Sequence, residues 1–411
     1  MVKTTHHKDK DPAHNNPNSD RFNKLKKHKN RSDGYERVAF VLQGGGSIGA
    51  YQMGVVKGLL EANYEPDWIA ATSIGAIQAA IIVGNKPKDR VAKLEEFWSL
   101  ISTYSPFDIL GSSDATMDIY NTMNSSLSLI FGQRGFFRPR INSPLLQIAG
   151  TPDKLSYYDT SPLRQTLLNL VDFDLLNQSQ IRLSLGAVQA STGYLIYFNN
   201  INYLITPEHV MASAALPPGF PAIKINNEYY WDGGVHSNTP LEVILDAYPG
   251  ADTLCFVIDC FGGMSFLPTD MDGITERTKD ITYSTHARRA IIGYVQRQNL
   301  QFKLKEIAKN LSSDQRKLID EVIAKEDPHH YTLVHVAYSA RLHRSPSKDY
   351  NFGHLILKKR AAIGYQDASA LLAESKKWNR PTADLQCRFY EAPNNSTRLM
   401  REGDIGGDSD E

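Results

Sequence analysis

The sequence predicts a three-layer α/β/α fold with a mostly parallel sheet, followed by a largely helical C-terminal extension. Between residues 37 and 262, short runs of β-branched and aromatic residues alternate with helical patterns. Such alternation is typical of βαβ units whose parallel strands are covered by helices on both faces. A chain of 411 residues is long enough to bury the core that this architecture needs.

The first βαβ unit carries two motifs. A strand pattern at 37–43 leads into the loop Gly44–Gly49 and then into a helical pattern at 50–60. A second strand pattern begins at Trp68 and ends at a corner that holds Ser73. Because the carboxyl ends of parallel strands meet at one edge of the sheet, the glycine loop and the serine corner should face each other.

The corner reads Ala71-Thr-Ser-Ile-Gly75, a strand-turn-helix pattern. Such a turn holds a serine hydroxyl at the positive N-terminal end of the following helix, so Ser73 is the candidate nucleophile. Gly75 is expected because a side chain would crowd the turn. Ala71 stands where the G-x-S-x-G pattern has its first glycine. The alternative is an ordinary βα turn capped by Ser73.

The glycine loop satisfies G-x-G-x-x-G, so a dinucleotide site has to be considered. That site needs an acidic residue at the end of the second strand, whereas Asp67 lies before its start. A P-loop is excluded as well, because no Gly-Lys-Ser/Thr follows the glycines. Three consecutive glycines at a helix N-terminus bare N–H groups that bind an oxyanion. We therefore assign Gly44, Gly45 and Gly46 as the oxyanion loop, with a nucleotide-binding protein as an alternative.

The candidate base is Asp232, which an aromatic strand delivers into the turn Asp232-Gly233-Gly234. A partly desolvated carboxylate near a serine takes the hydroxyl proton directly, because desolvation raises its proton affinity. His236, four residues on, is a rival base but is expected to pack or to form a hydrogen bond locally. Three other histidines would suit the residue order of an α/β-hydrolase, but none follows a strand in a recognisable turn: His286, His335 and His354.

Four motifs, in this order, resemble the patatin-like phospholipase family over residues 37–262: Gly44-Gly-Gly-Ser-Ile-Gly-Ala-Tyr-Gln52, Thr72-Ser-Ile-Gly-Ala76, Ala212-Ser-Ala-Ala-Leu-Pro217 and Asp232-Gly-Gly234. The later part of the chain resembles the C-terminal extension of a bacterial subgroup. The resemblance implies a patatin-like fold and a Ser-Asp dyad that hydrolyses acyl esters of lipids without a histidine, a metal or a cofactor.

By this resemblance Ser73 is the nucleophile, Asp232 is the base, and the amides of Gly44, Gly45 and Gly46 form the oxyanion hole. The supporting glycines of the motifs are Gly49, Gly75, Gly233 and Gly234. Besides Ala71, one further position departs from the family: Ile48 stands where plant members carry an arginine, so any help from that arginine is missing. The head group of the substrate is left open.

Four further segments complete the predicted organisation. Residues 1–36 form a polar, disordered arm whose lysines suit either an anionic surface or plain solvation. Residues 105–140 are apolar but interrupted, which fits a lid over the site or a helical hairpin of the core. Residues 263–400 form the largely helical extension, and residues 401–411 an acidic, disordered tail.

The composition of the chain limits the binding partners and the cellular location that we expect. Formal net charge is zero at pH 7, which offers no case for nucleic-acid binding. The three cysteines have no metal-ligand spacing, and no apolar run is long enough to span a bilayer. The first 36 residues lack the apolar core of a secretory signal peptide. We expect a cytoplasmic or peripheral membrane protein; the oligomeric state is not predicted.

The predicted activity is a serine acyl hydrolase of phospholipase A type that acts on lipid carboxylic esters at a lipid or membrane surface. The first alternative keeps the chemistry but moves it to a soluble ester, thioester or hydroxyalkanoate. The second is a non-catalytic lipid-binding protein of the same fold, which the presence of both Ser73 and Asp232 disfavours.

Overall fold

The computed structural model describes residues 34–399 except for 105–107, 109–113, 142–149, 248–249, 264–266, 269, 323–328, 339–347, 379, 381–385 and 393–397. The predicted N-terminal arm, apart from residues 34–36, and the predicted acidic tail lie outside the described residues.

The strands in chain order are β1 (Arg37–Leu42), β2 (Trp68–Ala71), β3 (Arg138–Pro139), β4 (Tyr158–Asp159), β5 (Arg182–Gln189), β6 (Leu195–Asn199), β7 (Ile223–Ile225), β8 (Glu228–Asp232), β9 (Thr253–Asp259), β10 (Tyr331–Ala337), β11 (Cys387–Glu391) and β12 (Arg398–Leu399).

The helices are α1 (Gly49–Glu61), α2 (Ile74–Val83), α3 (Arg90–Leu100), α4 (Asp114–Phe131), α5 (Ser161–Leu170), α6 (Phe173–Gln178), α7 (Pro207–Ser213), α8 (Glu242–Leu245), α9 (Met271–Ala308), α10 (Ser313–Val322) and α11 (His354–Ala373). Within the described residues, no helix is both long enough and apolar enough to cross a bilayer.

One large sheet runs through the described part of the chain in the order β12-β11-β10-β9-β1-β2-β5-β8-β7, with β6 paired to β5. The five central pairings, from β11 to β5, are parallel. The pairings at the two ends, β11 with β12 and those of β6, β7 and β8, are antiparallel. The predicted mostly parallel sheet is confirmed.

Both faces of the sheet are covered. Along β1, Phe40 and Leu42 pack into the core formed with α1 and α2, whereas Ala39 and Val41 pack into a second core formed with α8 and α9. A continuous apolar strand is what a sheet buried on both faces requires. This arrangement confirms the three-layer α/β/α architecture.

The sheet extends beyond β9 into the region that was predicted to be a largely helical extension. β10 pairs in parallel with β9, and β11 pairs in parallel with β10, so the C-terminal region continues the same sheet. The sequence did not predict the place of β10 beside β9. The C-terminal region therefore includes both the predicted helices and part of the central sheet.

Helix α11 packs unusually close to α1. A Cβ at Gly54 would overlap the carbonyl oxygen of Ala361, and a Cβ at Gly364 would overlap that of Tyr51. Glycines on both helices thus let the two backbones approach beyond the spacing that side chains allow. This contact ties the C-terminal region to the helix that begins at the glycine loop.

We expect Gly54→Ala to lower the free energy of unfolding by about 1–3 kcal/mol, because the added methyl must displace the α11 backbone. The matched control is Gly293→Ala in α9, where a Cβ meets nothing within 4 Å. That change should leave stability unaltered or raise it by up to about 1 kcal/mol. Urea unfolding of both variants checks the expectation, and equal midpoints would contradict close α1–α11 packing.

Candidate active site

Ser73 lies at the junction of β2 and α2 in a strained conformation. Its backbone has φ 57° and ψ −126°, a conformation that residues other than glycine rarely adopt. Its N–H donates to the carbonyl of Ser213 at 2.9 Å. The strain is characteristic of a turn that holds a nucleophile clear of its sheet.

The predicted need for glycine at position 75 is confirmed, since a Cβ there would overlap the carbonyl oxygen of Leu42. Ala71 is fully buried and lies within β2, paired with Leu42 and Leu185. Its methyl group is thus accommodated inside the sheet, and the turn closes without the first glycine of the pattern.

Asp232 ends β8 and is buried, with 1% of its surface exposed. Its Oδ1 accepts the Gly234 N–H at 2.7 Å, while its Oδ2 is buried without a hydrogen-bond partner among the described residues. Burial raises the pKa of Asp232 to about 7, although the Gly234 N–H and the Ser73 side chain both lower it. The dominant cause is desolvation of the charged form.

The motif that begins at Ala212 fixes the positions of Ser73 and Asp232 relative to each other through backbone hydrogen bonds. The Ser213 carbonyl accepts the Ser73 N–H, and two residues later the Ala215 carbonyl accepts the Asp232 N–H at 2.9 Å. The Ser213 hydroxyl in turn donates to the Gly186 carbonyl of β5 at 2.6 Å. One short segment after α7 therefore fixes both backbones.

The glycine loop faces Ser73, as predicted: a Cβ at Gly44 would lie 2.9 Å from the Ser73 Cβ. The Gly44 N–H already donates to the Asn238 carbonyl at 3.2 Å. Among the described residues, no acceptor takes the N–H of Gly45 or Gly46. Gly46 has φ +55°, and a Cβ there would overlap the Asp349 carbonyl oxygen. Two amides of the loop are thus available to a ligand.

Asn238 joins the glycine loop to the turn that follows Asp232. Its side-chain amide donates to the Gly44 carbonyl at 3.1 Å. A Cβ at Gly234 would lie 2.8 Å from its Oδ1. The supporting glycines at 49 and 233 also mark close approaches, to the Ile74 side chain and to the Gly186 backbone. Glycine at these positions is required by space.

Ser73, Asp232 and the glycine loop line one cavity, whose other walls are mainly apolar. The apolar lining residues come from α2, the turn after α4, the loops that follow α7 and β9, and the C-terminal region: Ile74, Phe136, Phe137, Ala214, Leu216, Phe220, Phe261 and Phe352. An apolar cavity with few polar groups suits an acyl chain.

Sequence reasoning missed the polar lining residues from distant parts of the chain: Asn238, Tyr283, Asp349 and Tyr350. Asp349 pairs with Lys279 of α9 at 3.0 Å. Burial, and then Asp349, raise the pKa of Tyr350, so its hydroxyl stays protonated. No local pattern marks these residues, since each stands in a stretch that resembles an ordinary turn or helix.

Of the segment predicted as a lid or a helical hairpin, the described part forms α4 and the turn that follows it. Phe136 and Phe137 of this turn are buried and line the cavity. α4 itself exposes Ile130 and Phe131, with 63% and 71% of their surfaces accessible. The turn after α4 is therefore part of the cavity wall, and movement of the segment as a lid stays a prediction.

Of the histidines considered as bases, His236, His335 and His354 do not line the cavity, and the His286 side chain lies outside the described part of the structure. His236 is exposed, and His354 stacks on Tyr104 with ring centroids 4.3 Å apart. His335 is buried and its Nε2 lies 2.9 Å from Asp259 Oδ2. Burial lowers the pKa of His335, but Asp259 and Glu391 outweigh it and raise the pKa to about 9. The described residues contain no group of three or more His, Cys, Asp or Glu side chains placed to hold a metal ion.

We expect Asp232→Asn to gain stability relative to the native chain as pH rises. The native carboxyl has its pKa raised from 3.8 to about 7, so the unfolded chain releases this proton first and the native free energy of unfolding falls across that interval. Asparagine does not ionise, so the difference should grow by on the order of 4 kcal/mol. Urea unfolding from pH 4 to 8 measures it; a constant difference would contradict the burial of this charge.

Comparison with known protein families matches the stretch of chain that carries Ser73, Asp232 and the glycine loop. A family model described as patatin-like phospholipase matches residues 40–245, and one described as patatin phospholipase matches residues 281–384. A patatin-like phospholipase domain-containing protein of Neurospora crassa is 45% identical over 60 residues, which are 15% of this chain and 7% of that protein.

A triacylglycerol lipase of Arabidopsis thaliana is 44% identical over 48 residues, 12% of this chain and 6% of that protein. The matched stretches thus span only a small part of these curated relatives. VipD from Legionella pneumophila has a TM-score of 0.31 and 14% identity, covering 82% of this chain and 67% of its own. With residues 40–245 matched, which is half of the 411-residue chain, the protein belongs to the patatin-like phospholipase family.

Proposed function

We propose that this protein is a serine acyl hydrolase of phospholipase A type, which cleaves carboxylic esters of lipids through a dyad of Ser73 and Asp232. The observation that carries the proposal is the buried Asp232 carboxylate in one cavity with a strained serine. Its pKa lies near 7, and its Oδ2 has no hydrogen-bond partner within the described part of the chain. A base whose pKa lies near the working pH is both ionised and strongly proton-accepting.

In the first half of the reaction, Ser73 Oγ attacks the ester carbonyl and its proton passes to Asp232. The tetrahedral oxyanion is received by the amides of Gly45 and Gly46, because the Gly44 N–H is already engaged by Asn238. When the intermediate collapses, the carbon–oxygen bond to the alcohol breaks and Asp232 returns the proton to the leaving oxygen. Acyl-Ser73 remains.

In the second half, water attacks acyl-Ser73 while Asp232 takes one of its protons. A second oxyanion forms against the same amides. Its collapse releases the fatty acid and returns the proton to Ser73 Oγ. Each half therefore uses Asp232 once as a base and once as an acid, which suits a group with a pKa near neutrality.

A lipid surface is the proposed source of substrate, because the segment that places Phe136 and Phe137 in the cavity also exposes apolar side chains. Five exposed apolar residues form what we call the α4 surface: Ile119, Leu129, Ile130, Phe131 and Ile141. Residues 119–152 contain no aspartate or glutamate but include Arg134, Arg138 and Arg140. Exposed apolar groups beside cations favour contact with a bilayer, above all an anionic one.

The soluble-substrate alternative keeps the same dyad and differs in needing no surface. Nothing in the cavity favours a nucleotide, since its lining is mainly apolar. Assignment to a bacterial subgroup with a C-terminal extension stays a prediction from the resemblance.

The dyad predicts that Ser73→Ala and Asp232→Asn each abolish release of fatty acid from mixed-acyl phospholipid vesicles. In the native chain, kcat/KM should rise about tenfold per pH unit below pH 7 and level off above it, because only the carboxylate form of Asp232 acts as base. Mass spectrometry of the products also reports which acyl position is cleaved.

Activity that survives both substitutions in folded protein would refute the dyad. Activity on short-chain soluble esters but not on vesicles would retain the dyad and favour the soluble-substrate alternative. Both variants should be checked for folding by thermal unfolding, since Asp232 is buried.

The α4 surface predicts that the double variant Ile130→Ser, Phe131→Ser binds vesicles at least about tenfold more weakly, because burial of such side chains contributes about 1.5–3 kcal/mol each. Hydrolysis of a short-chain soluble ester should not change. The control is Leu204→Ser, another apolar residue with 66% of its surface exposed. Co-sedimentation with phosphatidylcholine vesicles, with and without phosphatidylglycerol, measures binding; equal losses in both variants would contradict a specific membrane surface.

A further inference from the structure

Arg360 of α11 is a buried cation beside the glycine loop. It is 3% exposed, and its Nη1 donates to Ser47 Oγ at 2.8 Å while its Nη2 donates to the Lys348 carbonyl at 2.9 Å. Within the described part of the chain, no carboxylate pairs with it, and its Nε is buried without a partner. Burying an unpaired charge is costly, so the fold retains this guanidinium at the expense of stability.

Ser47 directly follows Gly46 and is held on both sides. Its hydroxyl donates to the Lys348 carbonyl at 2.8 Å and accepts from Arg360. That carbonyl thus receives three hydrogen bonds: one from the glycine loop, one from α11 and, at 3.4 Å, one from the Asn351 N–H. The Asp349 carbonyl oxygen packs against Gly46, where a Cβ would overlap it. Residues 348–349 therefore form a brace behind the loop.

The brace is itself anchored to α9. Lys348 is 4% exposed, and its Nζ forms ion pairs with Asp280 and, at 3.1 Å, with Glu276. Two opposite charges compensate this lysine, in contrast to Arg360. A buried lysine held by two carboxylates fixes the backbone of residue 348, and with it the acceptor that Ser47 and Arg360 share.

Cys260 connects the glycine loop with the same two cations. A Cβ at Gly45 would overlap the Cys260 side chain, so this residue packs directly against the loop. Burial, and then Asp259, raise the pKa of the Cys260 thiol, whereas Arg360 and Lys348 oppose that rise.

We propose that Arg360 is a positioning residue for acyl transfer: through Ser47 it fixes the amides of Gly45 and Gly46 that receive the oxyanion. The proposal rests on the proposed function of the Ser73 site. It makes a residue 313 positions along the chain from Ser47 part of the catalytic apparatus.

The test compares Arg360→Lys, Arg360→Met and Ser47→Ala with the native chain on a short-chain soluble ester. We expect kcat to fall about tenfold or more with KM changed less than about twofold, because the lost interaction acts on the transition state. The affinity for a trifluoromethyl ketone, which mimics the tetrahedral intermediate, should fall by the same factor. Thermal unfolding of each variant confirms that the folded state is assayed.

The matched control is Arg90→Lys, since Arg90 is a buried arginine of α3 that pairs with Glu65. It should lower thermal stability without changing kcat. In a double-mutant cycle, Arg360→Lys should have little further effect once Ser47 is alanine. Native kcat in folded Arg360→Lys and Ser47→Ala, a fall in kcat as large in Arg90→Lys, or additive effects in the cycle would overturn the proposal.

A fluorophosphonate separates this inference from the ester specificity. Ser73 Oγ bonds to phosphorus, fluoride leaves, and the serine proton passes to Asp232, so intact mass reports the rate without any lipid substrate. Slower labelling in both Arg360→Lys and Ser47→Ala supports the inference even if no lipid ester is cleaved. Labelling at the native rate in both variants overturns the inference alone, whereas an unreactive Ser73 in the native chain overturns both proposals.

Discussion

The burial of one carboxylate constrains the whole site. Asp232 is removed from water in a largely apolar cavity, where the Gly234 N–H donates a hydrogen bond to its Oδ1. This is unfavourable for the ionised form, and the same desolvation gives the group its affinity for a proton. The surrounding structure must therefore hold Asp232 against its tendency to reach solvent. The backbone bonds from the segment after α7, and the close contact of Gly233 with β5, provide that restraint.

The strain at Ser73 is sustained in the same way. A serine at φ 57° is held because its N–H has a partner on Ser213 and because Gly75 lets α2 start against the end of β1. On the opposite side, the α1–α11 contact and the brace at 348–349 fix the glycine loop. The rigidity of the candidate site thus comes from three separate parts of the chain, which meet at the carboxyl edge of one sheet.

Much of this could be predicted from the sequence, since turn chemistry is local. The serine corner, the glycine loop and the aspartate turn each have a pattern within a few residues, and parallel pairing of β1 and β2 follows from a short βαβ unit. The place of β10 beside β9 and the bond from Arg360 to Ser47 could not be predicted, because no period or spacing encodes contacts between distant segments. The resemblance implied that help from the arginine of plant members is missing at Ile48, and it gave no sign that α11 brings Arg360 to the neighbouring Ser47.

The position of the brace in the chain has a consequence for biosynthesis. Ser47 and its acceptor on Lys348 are separated by 301 residues, and the aromatic wall at Phe352 comes later still. A ribosome makes Ser73 and Asp232 well before it makes these residues. A nascent chain therefore contains both catalytic candidates before residues 348–349 and α11 are present to support the glycine loop. The cavity is completed only after residues 348–352 have left the ribosome. The order of translation therefore delays the finished site until these residues can pack against the glycine loop.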